Sequence, residues 1–411
     1  MTHLETLVKN TIDAPTVLEV SDGKAGLTGW LAVDSIVDGH FCGGLRMLPD
    51  VSAPELAELA RAMTLKHAFL GLPHGGAKAG ILYDESRQES GKAKFLTAFA
   101  KNIEDLLRRR VYLPGSDMGT TAEDIRGMMG SIGVRVPGRA LRGGRSGWYT
   151  SLTIVASAKA AAEHLGLDLA QAAVAIEGFG AVGSAVAEGF SRLGSRVVAI
   201  STYNGALYAP QGLNVDGLIR CYQQHGSKLV DFFDGPKKIQ REELLELDVD
   251  VLVPCARHHT IHAGNAPKIK ARLMSCGANA PITKEAEELL WQRGILCIPD
   301  FVANSGGVLG GTMEFAGIRP DTIAGFVDKS FSRQVSALIG KATEGSLYIR
   351  DQAERIAVDR GRRIKSASET RSLRNRAFAL GLDLYRNRMI PSALVRPLAW
   401  KYFQKRIEGG I

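Results

Sequence analysis

The spacing of apolar residues changes part of the way along the chain. In the segment 52–70, Leu56, Leu59, Met63 and Leu70 recur at helical spacing, which predicts a helix with one buried face. Beyond residue 170 the pattern becomes short continuous apolar runs that alternate with helical segments. Such runs are typical of parallel strands covered on both faces, and they occupy 173–176, 197–200, 249–253, 272–274 and 295–298. The pattern predicts an α/β chain whose second half is a doubly wound sheet.

Breaks in this pattern divide the chain into three segments. Residues 1–140 mix strands and helices and end in a Gly- and Arg-rich stretch, 134–148, that marks a domain boundary. Residues 141–320 hold the continuous apolar runs. Few strand signals follow residue 320, and we expect the helical segment 321–411 to pack back on the first domain. A chain of 411 residues is too long for one ordinary core, which agrees with at least two domains.

A glycine motif follows the first of the apolar runs. The run leads directly into Gly-x-Gly-x-x-Gly and then into a predicted helix, 184–193. Glycines at this spacing allow a tight turn, close approach of a pyrophosphate, and close packing of helix against strand, while the helix N-terminus faces the phosphates. The sequence therefore predicts that 141–320 is a dinucleotide-binding Rossmann domain, with contacts from Gly178, Phe179, Gly180, Ala181, Val182 and Gly183.

The strand that commonly carries a ribose-binding acid lacks one. In NAD sites a carboxylate about 20 residues beyond the glycines binds the ribose hydroxyls. Here the second strand ends Ser201-Thr202-Tyr203-Asn204, with no carboxylate. That leaves room for the 2′-phosphate of NADP, although no Arg stands in the loop to bind it. We therefore expect NAD or NADP as the cofactor.

Composition and charge narrow the class of protein. The proportions of hydrophobic residues, 45%, and of charged residues, 23%, are ordinary for a globular protein. The net charge of +8 arises in residues 319–411, which hold 19 Lys or Arg against 9 Asp or Glu. No nucleic-acid motif accompanies this excess, and no run of about 18 uncharged apolar residues indicates a membrane span. We expect a cytoplasmic homo-oligomer with neither a nucleic-acid nor a membrane partner.

Neither the cysteines nor the histidines indicate a metal centre. The five cysteines are scattered and form no C-x-x-C pair, so we expect reduced thiols. His258 and His262 would share a helical face, but no Glu completes the H-E-x-x-H pattern of a zinc site. We therefore predict no metal.

Two lysines and an aspartate are the candidates for chemistry in the first segment. Lys66 falls on the apolar stripe of the helix 52–70, where an ammonium group is costly unless an anion meets it. Lys78 follows a Gly-Gly pair, which we interpret as a turn that lets the backbone approach a ligand closely. Asp117 follows a short strand, and ligands usually bind at the strand ends of α/β layers.

Together these motifs resemble the Glu/Leu/Phe/Val dehydrogenase family, the amino-acid dehydrogenases. The matching pieces occur in the family's order: Gly43-Gly44-Leu45-Arg46, Met63-Thr64-Leu65-Lys66, Gly75-Gly76-Ala77-Lys78, Asp117-Met118-Gly119, Gly178 to Gly183, Gly277-Ala278-Asn279 and Ala303-Asn304-Ser305-Gly306-Gly307-Val308. The resemblance implies reversible oxidative deamination of an L-amino acid to a 2-oxo acid and ammonia, with hydride passing between Cα and the nicotinamide.

The resemblance also implies roles for individual residues. Lys66 would hold the α-carboxylate of the substrate, and Asp117 would exchange protons with its nitrogen. Lys78, with its pKa lowered by burial and a nearby cation, would act as the base that activates water. Residues 1–140 would bind the substrate and mediate oligomerisation. The remaining expected contacts are Gly43, Gly44 and Asn304 with the substrate and Thr150, Thr202 and Asn279 with the cofactor.

Two departures from the family pattern bear on the substrate. In the family that this chain resembles, glutamate-specific members have a Lys just before the Gly-Gly-x-Arg and a Ser three places after the later Gly-Gly-Val. Both residues hold the side-chain carboxylate of glutamate. This chain has Cys42 and Gly311 there, and neither can neutralise a buried carboxylate. We therefore expect an apolar or aromatic substrate, as in the leucine and phenylalanine dehydrogenases. One alternative is a glutamate dehydrogenase in which another cation binds the side-chain carboxylate. The other is a dinucleotide-binding protein without catalytic activity.

Overall fold

The chain folds into two compact units, which a computed structural model describes over residues 15–84, 91–136, 145–369, 380–382 and 384–408. The first unit comprises Met1–Gly144, Phe315–Gly317 and Ala357–Leu398. The second comprises Arg145–Glu314, Ile318–Ile356 and Ala399–Ile411. Most of the predicted boundary stretch, 137–144, lies outside the described residues. The three-part division at residues 140 and 320 stays a prediction.

The first unit is built on a five-stranded mixed sheet. Its strands are β1 (Thr16–Asp22), β2 (Leu27–Val33), β3 (Phe41–Leu48), β4 (Gly75–Leu82) and β5 (Tyr112–Ser116). They lie in the order β1-β2-β4-β3-β5, with antiparallel pairing from β1 to β4 and parallel pairing from β4 to β5. The parallel part brings the ends of β3 and β5 to the same edge of the sheet.

Helices cover both faces of this sheet. They are Ala53–Phe69, Gly91–Asn102, Glu104–Arg108 and Ala122–Ser131. The helix predicted over 52–70 is confirmed, and the Ser52 side chain caps it by accepting the amide of Glu55 at 3.4 Å. The Glu55 carboxylate forms an ion pair with Arg46 on β3.

The Gly-Gly pair before Lys78 is the start of β4, so its interpretation as a turn was wrong. A side chain at Gly75 would overlap the Ser35 carbonyl, and one at Gly76 would overlap Thr64 on the helix Ala53–Phe69. The amide of Gly76 also donates to the Ser35 hydroxyl at 3.0 Å. Glycine is needed here because strand and helix backbones approach closely, and this contact fixes where Lys78 lies along β4.

The second unit is built on a seven-stranded sheet. Its strands are β6 (Ala173–Glu177), β7 (Arg196–Thr202), β8 (Gly205–Tyr208), β9 (Lys237–Ile239), β10 (Val251–Pro254), β11 (Leu273–Ser275) and β12 (Leu296–Ile298). All five predicted apolar runs are strands, and they pair in parallel in the order β12-β11-β10-β6-β7. The sequence pattern missed β8 and β9, which extend the sheet beyond β7 by antiparallel pairing.

Helices lie between the strands of the second unit and after them. They are Ser146–Leu165, Ala181–Arg192, Val215–His225, Leu229–Phe232, Arg241–Leu245, Lys284–Gln292, Asp300–Ala303, Gly306–Phe315, Pro320–Phe326 and Ser332–Glu344, with a π-helical segment at Val327–Phe331. The predicted α/β class with a parallel Rossmann sheet is therefore confirmed.

Two long helices dominate the C-terminal part of the chain, Ile349–Glu369 and Ser392–Glu408. Residues 357–398 belong to the first unit, where Arg360 donates to the carbonyl of Phe69 and the hydroxyl of Tyr385 donates to the carbonyl of Phe315 at 2.6 Å. Part of the C-terminal segment thus packs on the first domain, as expected. Within the described ranges no helix is long and apolar enough to cross a membrane.

Glycines allow close contact between the helices Gly306–Phe315 and Ser146–Leu165. A Cβ atom at Gly306 would overlap the Tyr149 carbonyl, and one at Gly310 would overlap the Tyr149 ring, which is buried. A Cβ atom at Gly311, by contrast, would meet no atom within 4 Å. The same substitution at these adjacent positions therefore has opposite consequences.

We expect Gly310→Ala to lower the free energy of unfolding by about 1–3 kcal/mol, because it forces extra volume into a packed contact. Gly311→Ala is the matched control and should raise it by up to about 1 kcal/mol, because Ala favours helix over Gly in open space. Thermal unfolding of the two variants measures both effects. Equal changes in the two unfolding midpoints would contradict the packing argument.

Candidate active site

The first unit holds a buried cluster of charges on β3 and β4, beside the end of β5. Asp117 follows β5, and one of its carboxylate oxygens, Oδ2, accepts hydrogen bonds from Lys78 Nζ at 2.8 Å and from Arg46 Nε at 2.9 Å. The side chain of Lys78 is 4% exposed and that of Asp117 is 16% exposed. The structure thus brings the two predicted catalytic residues into direct contact.

Arg46 and Glu55 belong to this cluster, and sequence reasoning did not assign them. Arg46 bridges Asp117 and Glu55, and both Arg46 and Glu55 are buried. The signal was available in β3, where Arg46 interrupts the continuous apolar run Leu45 to Leu48, which is typical of a strand covered on both faces. A buried cation requires an anion, and Glu55 supplies the second one.

The cluster shifts the pKa values of both candidate catalytic groups. Burial lowers the pKa of Lys78 below its ordinary value and Arg46 lowers it further, while Asp117 raises it. Burial by itself would raise the pKa of Asp117, but Lys78 and Arg46 outweigh it and lower that pKa to about 2. Asp117 is therefore a carboxylate at neutral pH. A nearby cation was expected to lower the pKa of Lys78, and the structure identifies Arg46, on the neighbouring strand, as a cation that does so.

Lys66 lies in the last turn of the helix Ala53–Phe69 and is buried. Its charge lowers the pKa of the adjacent His67, although burial is the larger cause, and together they bring it to about 3. His74 contacts His67 with ring centroids 5.5 Å apart and is hydrogen-bonded to His40 at 2.7 Å. Burial holds the pKa of His74 well below its usual range, so this ring is neutral.

Cys42 lies on β3 beside this histidine group. Burial raises the pKa of its thiol to about 12, and the positive charge of Arg386 opposes that rise. Position 42 is therefore uncharged at neutral pH. The next two residues allow close packing, because a side chain at Gly43 would overlap the Ala77 carbonyl and one at Gly44 would lie 2.9 Å from Asp117 Cβ. The two glycines thereby let β3 approach Lys78 and Asp117.

In the second unit the glycine motif forms a turn between β6 and the helix Ala181–Arg192. Gly178 adopts a φ of 92°, and a side chain there would collide with the backbone of Ala256. A side chain at Gly183 would overlap the Gly178 carbonyl, whereas one at Gly180, the N-cap, would meet nothing within 4 Å. The space beside Gly180 at a helix N-terminus fits a pyrophosphate.

The flanking residues of this motif have mostly structural contacts. Phe179 is buried, and its amide donates to the Ser201 carbonyl at 2.6 Å. Ala181 and Val182 begin the helix. Thr202, at the end of β7, donates its hydroxyl to the Ser227 carbonyl at 2.7 Å. The Thr202 hydroxyl is therefore engaged within the protein.

Asn279 and Asn304 meet beyond the ends of the parallel strands. The Asn304 amide nitrogen donates to the Ala278 carbonyl at 2.9 Å and to Asn279 Oδ1 at 3.1 Å. The other amide atom, Asn304 Oδ1, is buried without a hydrogen-bond partner. A buried acceptor left open in this way suits a ligand that carries an N–H group, such as a carboxamide.

Thr150 lies on the helix Ser146–Leu165, where its hydroxyl donates to the Ser146 carbonyl at 2.8 Å. A side chain at Gly307 would lie 2.9 Å from that hydroxyl. Thr150 is thus packed against the Gly-Gly-Val segment of the sequence motif.

The histidines after β10 do not share a helical face, because their segment is a series of turns. His259 has a φ of 53°, and His262 Nδ1 accepts the amide of Gly264 at 3.2 Å. All five cysteines are free thiols. Across the described ranges no group of three or more His, Cys, Asp or Glu is placed to hold a metal ion.

Comparisons with known proteins agree with the fold. Residues 11–133 match the Glu/Leu/Phe/Val dehydrogenase dimerisation domain, and residues 144–368 match the Glutamate/Leucine/Phenylalanine/Valine dehydrogenase model. The chain therefore belongs to the Glu/Leu/Phe/Val dehydrogenase family. It is an amino-acid dehydrogenase that uses NAD or NADP, and its relatives include both NADP-specific and NAD-specific enzymes.

Several relatives are glutamate dehydrogenases. The chain is 39% identical to the glutamate dehydrogenase of Thermotoga maritima over 305 residues, which cover 71% of this chain and 73% of that protein. It is 34% identical to the NADP-specific glutamate dehydrogenase of Saccharolobus shibatae, over 72% of this chain and 73% of the relative. Among solved structures, the Leu-bound hetero-hexameric glutamate dehydrogenase from Thermus thermophilus superposes with a TM-score of 0.73 and 29% identity, over 87% of this chain and 90% of that one.

The Asp117 ion pairs make stability depend on pH in the acidic range. The pKa of Asp117 is lowered to about 2 in the folded state, from near 4 in the unfolded chain. The ion pairs therefore stabilise the fold above pH 4, and this effect is lost as the pH falls towards 2. The pH-dependent contribution at neutral pH is about 2 kcal/mol. We expect the difference in unfolding free energy between the unmodified chain and Asp117→Asn to narrow as the pH falls from 6 to about 3.

Denaturant titrations across that range measure the difference. Asp105→Asn is the control, because Asp105 forms an exposed ion pair with Arg109 at 3.3 Å, and such pairs contribute little. A difference for Asp117→Asn that stays constant with pH would contradict the assignment.

Proposed function

We propose that the protein catalyses the reversible oxidative deamination of an apolar or aromatic L-amino acid to its 2-oxo acid and ammonia. The observation that supports the chemistry is the buried contact of Lys78 with Asp117, held by Arg46. The observation that supports an apolar side chain is the uncharged thiol of Cys42 at the position where a glutamate-specific enzyme needs a cation.

We assign substrate binding first to Lys66. Its ammonium group is buried and lies on the helix that covers β4, and an α-carboxylate is the anion it would hold in the bound state. The backbones of Gly43 and Gly44 run beside the charge cluster and would line the same part of the substrate. We assign Asn304 to the substrate and nicotinamide end of the cofactor, and Asn279 and Thr150 to the cofactor.

We assign the proton transfers to Lys78 and Asp117. When bound, the nicotinamide would accept a hydride from Cα of the substrate's neutral amine, which leaves an iminium on the substrate. The neutral amine of Lys78 would then take a proton from water as that water attacks the iminium carbon. Burial favours the neutral amine because it lowers the pKa of Lys78. Asp117 would pass protons between the substrate nitrogen and Lys78, with which it shares a hydrogen bond of 2.8 Å.

Glutamate is the second candidate substrate. The relatives named above act on glutamate by their names, and the sequence alone offered no cation to hold its side-chain carboxylate. In the folded first unit, Arg386 from the C-terminal segment acts electrostatically on Cys42, His40 and His74. Its guanidinium would bind the side-chain carboxylate of glutamate in place of the family's lysine, because Arg binds carboxylates in a bidentate geometry.

The assembly and location of the protein remain proposals. The Thermus thermophilus relative is described as hetero-hexameric, which supports an oligomer for this chain. We propose a homo-oligomer in the cytoplasm, acting on a small-molecule amino acid without a nucleic-acid or membrane partner.

Lys78→Ala should abolish turnover while leaving the fold and cofactor binding intact, because it removes the base and no part of the dinucleotide site. Rates are measured with NAD and NADP in both directions, together with circular dichroism and cofactor binding. Lys101→Ala, an exposed lysine on the helix Gly91–Asn102, is the matched control and should keep full activity. Near-normal turnover in Lys78→Ala would refute the mechanism.

A panel of amino acids tested for reduction of NAD and NADP decides the substrate. We expect leucine, valine, phenylalanine or tryptophan to exceed glutamate, and the double variant Cys42→Lys with Gly311→Ser to raise activity on glutamate relative to leucine. The reason is that the new ammonium group compensates a carboxylate in the pocket. Glutamate as the best substrate, lost selectively in Arg386→Gln, would instead establish the second candidate.

A further inference from the structure

The turn after β7 lies where the adenosine ribose meets a Rossmann sheet. β7 is the second strand of the dinucleotide fold and pairs in parallel with β6, which leads into the glycine motif. Its last residue, Thr202, pairs with Gly205 across the turn Tyr203-Asn204. In dinucleotide sites this strand end carries either an acid for the ribose hydroxyls or a nearby arginine for a 2′-phosphate.

The two strands that the sequence pattern missed deliver an arginine to this turn. β9 pairs with β8, and Ile239 lies opposite Ala206, which itself lies opposite Ser201 on β7. The chain then continues through Gln240 to Arg241, the first residue of the helix Arg241–Leu245. The strand register therefore places Arg241 beside the end of β7.

Arg241 stacks on the turn itself. Its guanidinium carbon lies 5.7 Å from the ring centroid of Tyr203, a cation–π contact, and the ring is 84% exposed. The Arg241 side chain is itself 48% exposed, so solvent reaches about half of it. A planar guanidinium held over an exposed ring can bind a phosphate through two parallel hydrogen bonds.

The acids near this turn do not take the place of a ribose-binding carboxylate on the strand. Glu242 lies 3.5 Å from Arg241, but both side chains are largely exposed. Asp231, on the helix Leu229–Phe232, accepts a hydrogen bond from the side-chain amide of Asn204 at 3.4 Å. Glu177 is buried at the end of β6, where it accepts the hydroxyl of Thr260 at 3.0 Å. The competing interpretation of these contacts is that Asp231 binds the ribose of NAD.

We propose that Arg241, stacked on Tyr203, binds the 2′-phosphate of the cofactor and makes this enzyme prefer NADP over NAD. Arg241 is thus a specificity-determining residue at the adenosine end of the dinucleotide site. The proposal rests on the dehydrogenase function but concerns cofactor binding alone, so it can be tested without the amino-acid substrate.

Fluorescence titration of the full-length protein with NADPH and with NADH tests the proposal. We expect tighter binding of NADPH, and we expect Arg241→Gln to weaken NADPH by about tenfold or more, the value of a charge-assisted hydrogen bond, with little change for NADH. Arg241→Lys should restore part of the preference. Adenosine 2′,5′-bisphosphate should displace NADPH better than AMP from the unmodified protein and no better than AMP from Arg241→Gln.

Arg272→Gln is the matched control. Arg272 is also exposed and lies 3.6 Å from an acid, Asp250, but it precedes β11 at the opposite end of the parallel strands. It should leave both titrations unchanged. Equal weakening of NADPH and NADH in Arg241→Gln would reduce Arg241 to a structural role and overturn the proposal. Tighter binding of NADH by the unmodified protein, lost in Asp231→Asn, would overturn it in favour of Asp231.

Discussion

The arrangement of the first unit depends on the cost of burying cations. Arg46 and Lys78 lie on neighbouring strands, and Asp117 compensates both through a single carboxylate oxygen, at 2.9 and 2.8 Å. Removing that oxygen would take away the anion that Lys78 contacts and would leave Arg46 with Glu55 alone, which costs far more than an exposed ion pair contributes. The close packing at Gly43, Gly44 and Gly76 also contributes to this compensation. It brings the backbone segments near enough for the two cations to contact the carboxylate.

The same cluster bears on the proposed role of Lys78 as a base. Burial lowers the pKa of Lys78 and outweighs Asp117, which raises it, so the buried position favours loss of the proton more than water does. Asp117 stays ionised because both cations face it. The proposed chemistry therefore depends on a carboxylate and an amine whose pKa values are both lowered in the cluster. It also depends on Glu55, which forms an ion pair with Arg46.

The alternative proposed for the substrate and the proposal for the cofactor each involve an arginine that comes from a distant part of the chain. Arg386 acts on Cys42 from the C-terminal segment, and Arg241 reaches the end of β7 through β8 and β9. In each case the local motif lacks the expected charged residue. A guanidinium supplied from elsewhere would change the conclusion that the motif alone suggests, because recognition depends on the charge at a point in space and not on its place in the sequence.

The sequence by itself determined the parallel strands of the second unit and the resemblance to a family. Continuous apolar runs predicted all five of those strands, and the motifs around Lys66, Lys78, Asp117 and Gly178 resembled those of the amino-acid dehydrogenases, because periodicity and motifs are local properties of a chain. Tertiary structure decided the rest. The Gly-Gly pair proved to be a packed strand and not a turn. Arg46 and Arg241 acquired their places through strand pairing, and Glu55 through the packing of its helix against the sheet. Electrostatic contacts between residues far apart in sequence leave no periodic signal, so only the folded chain reveals them.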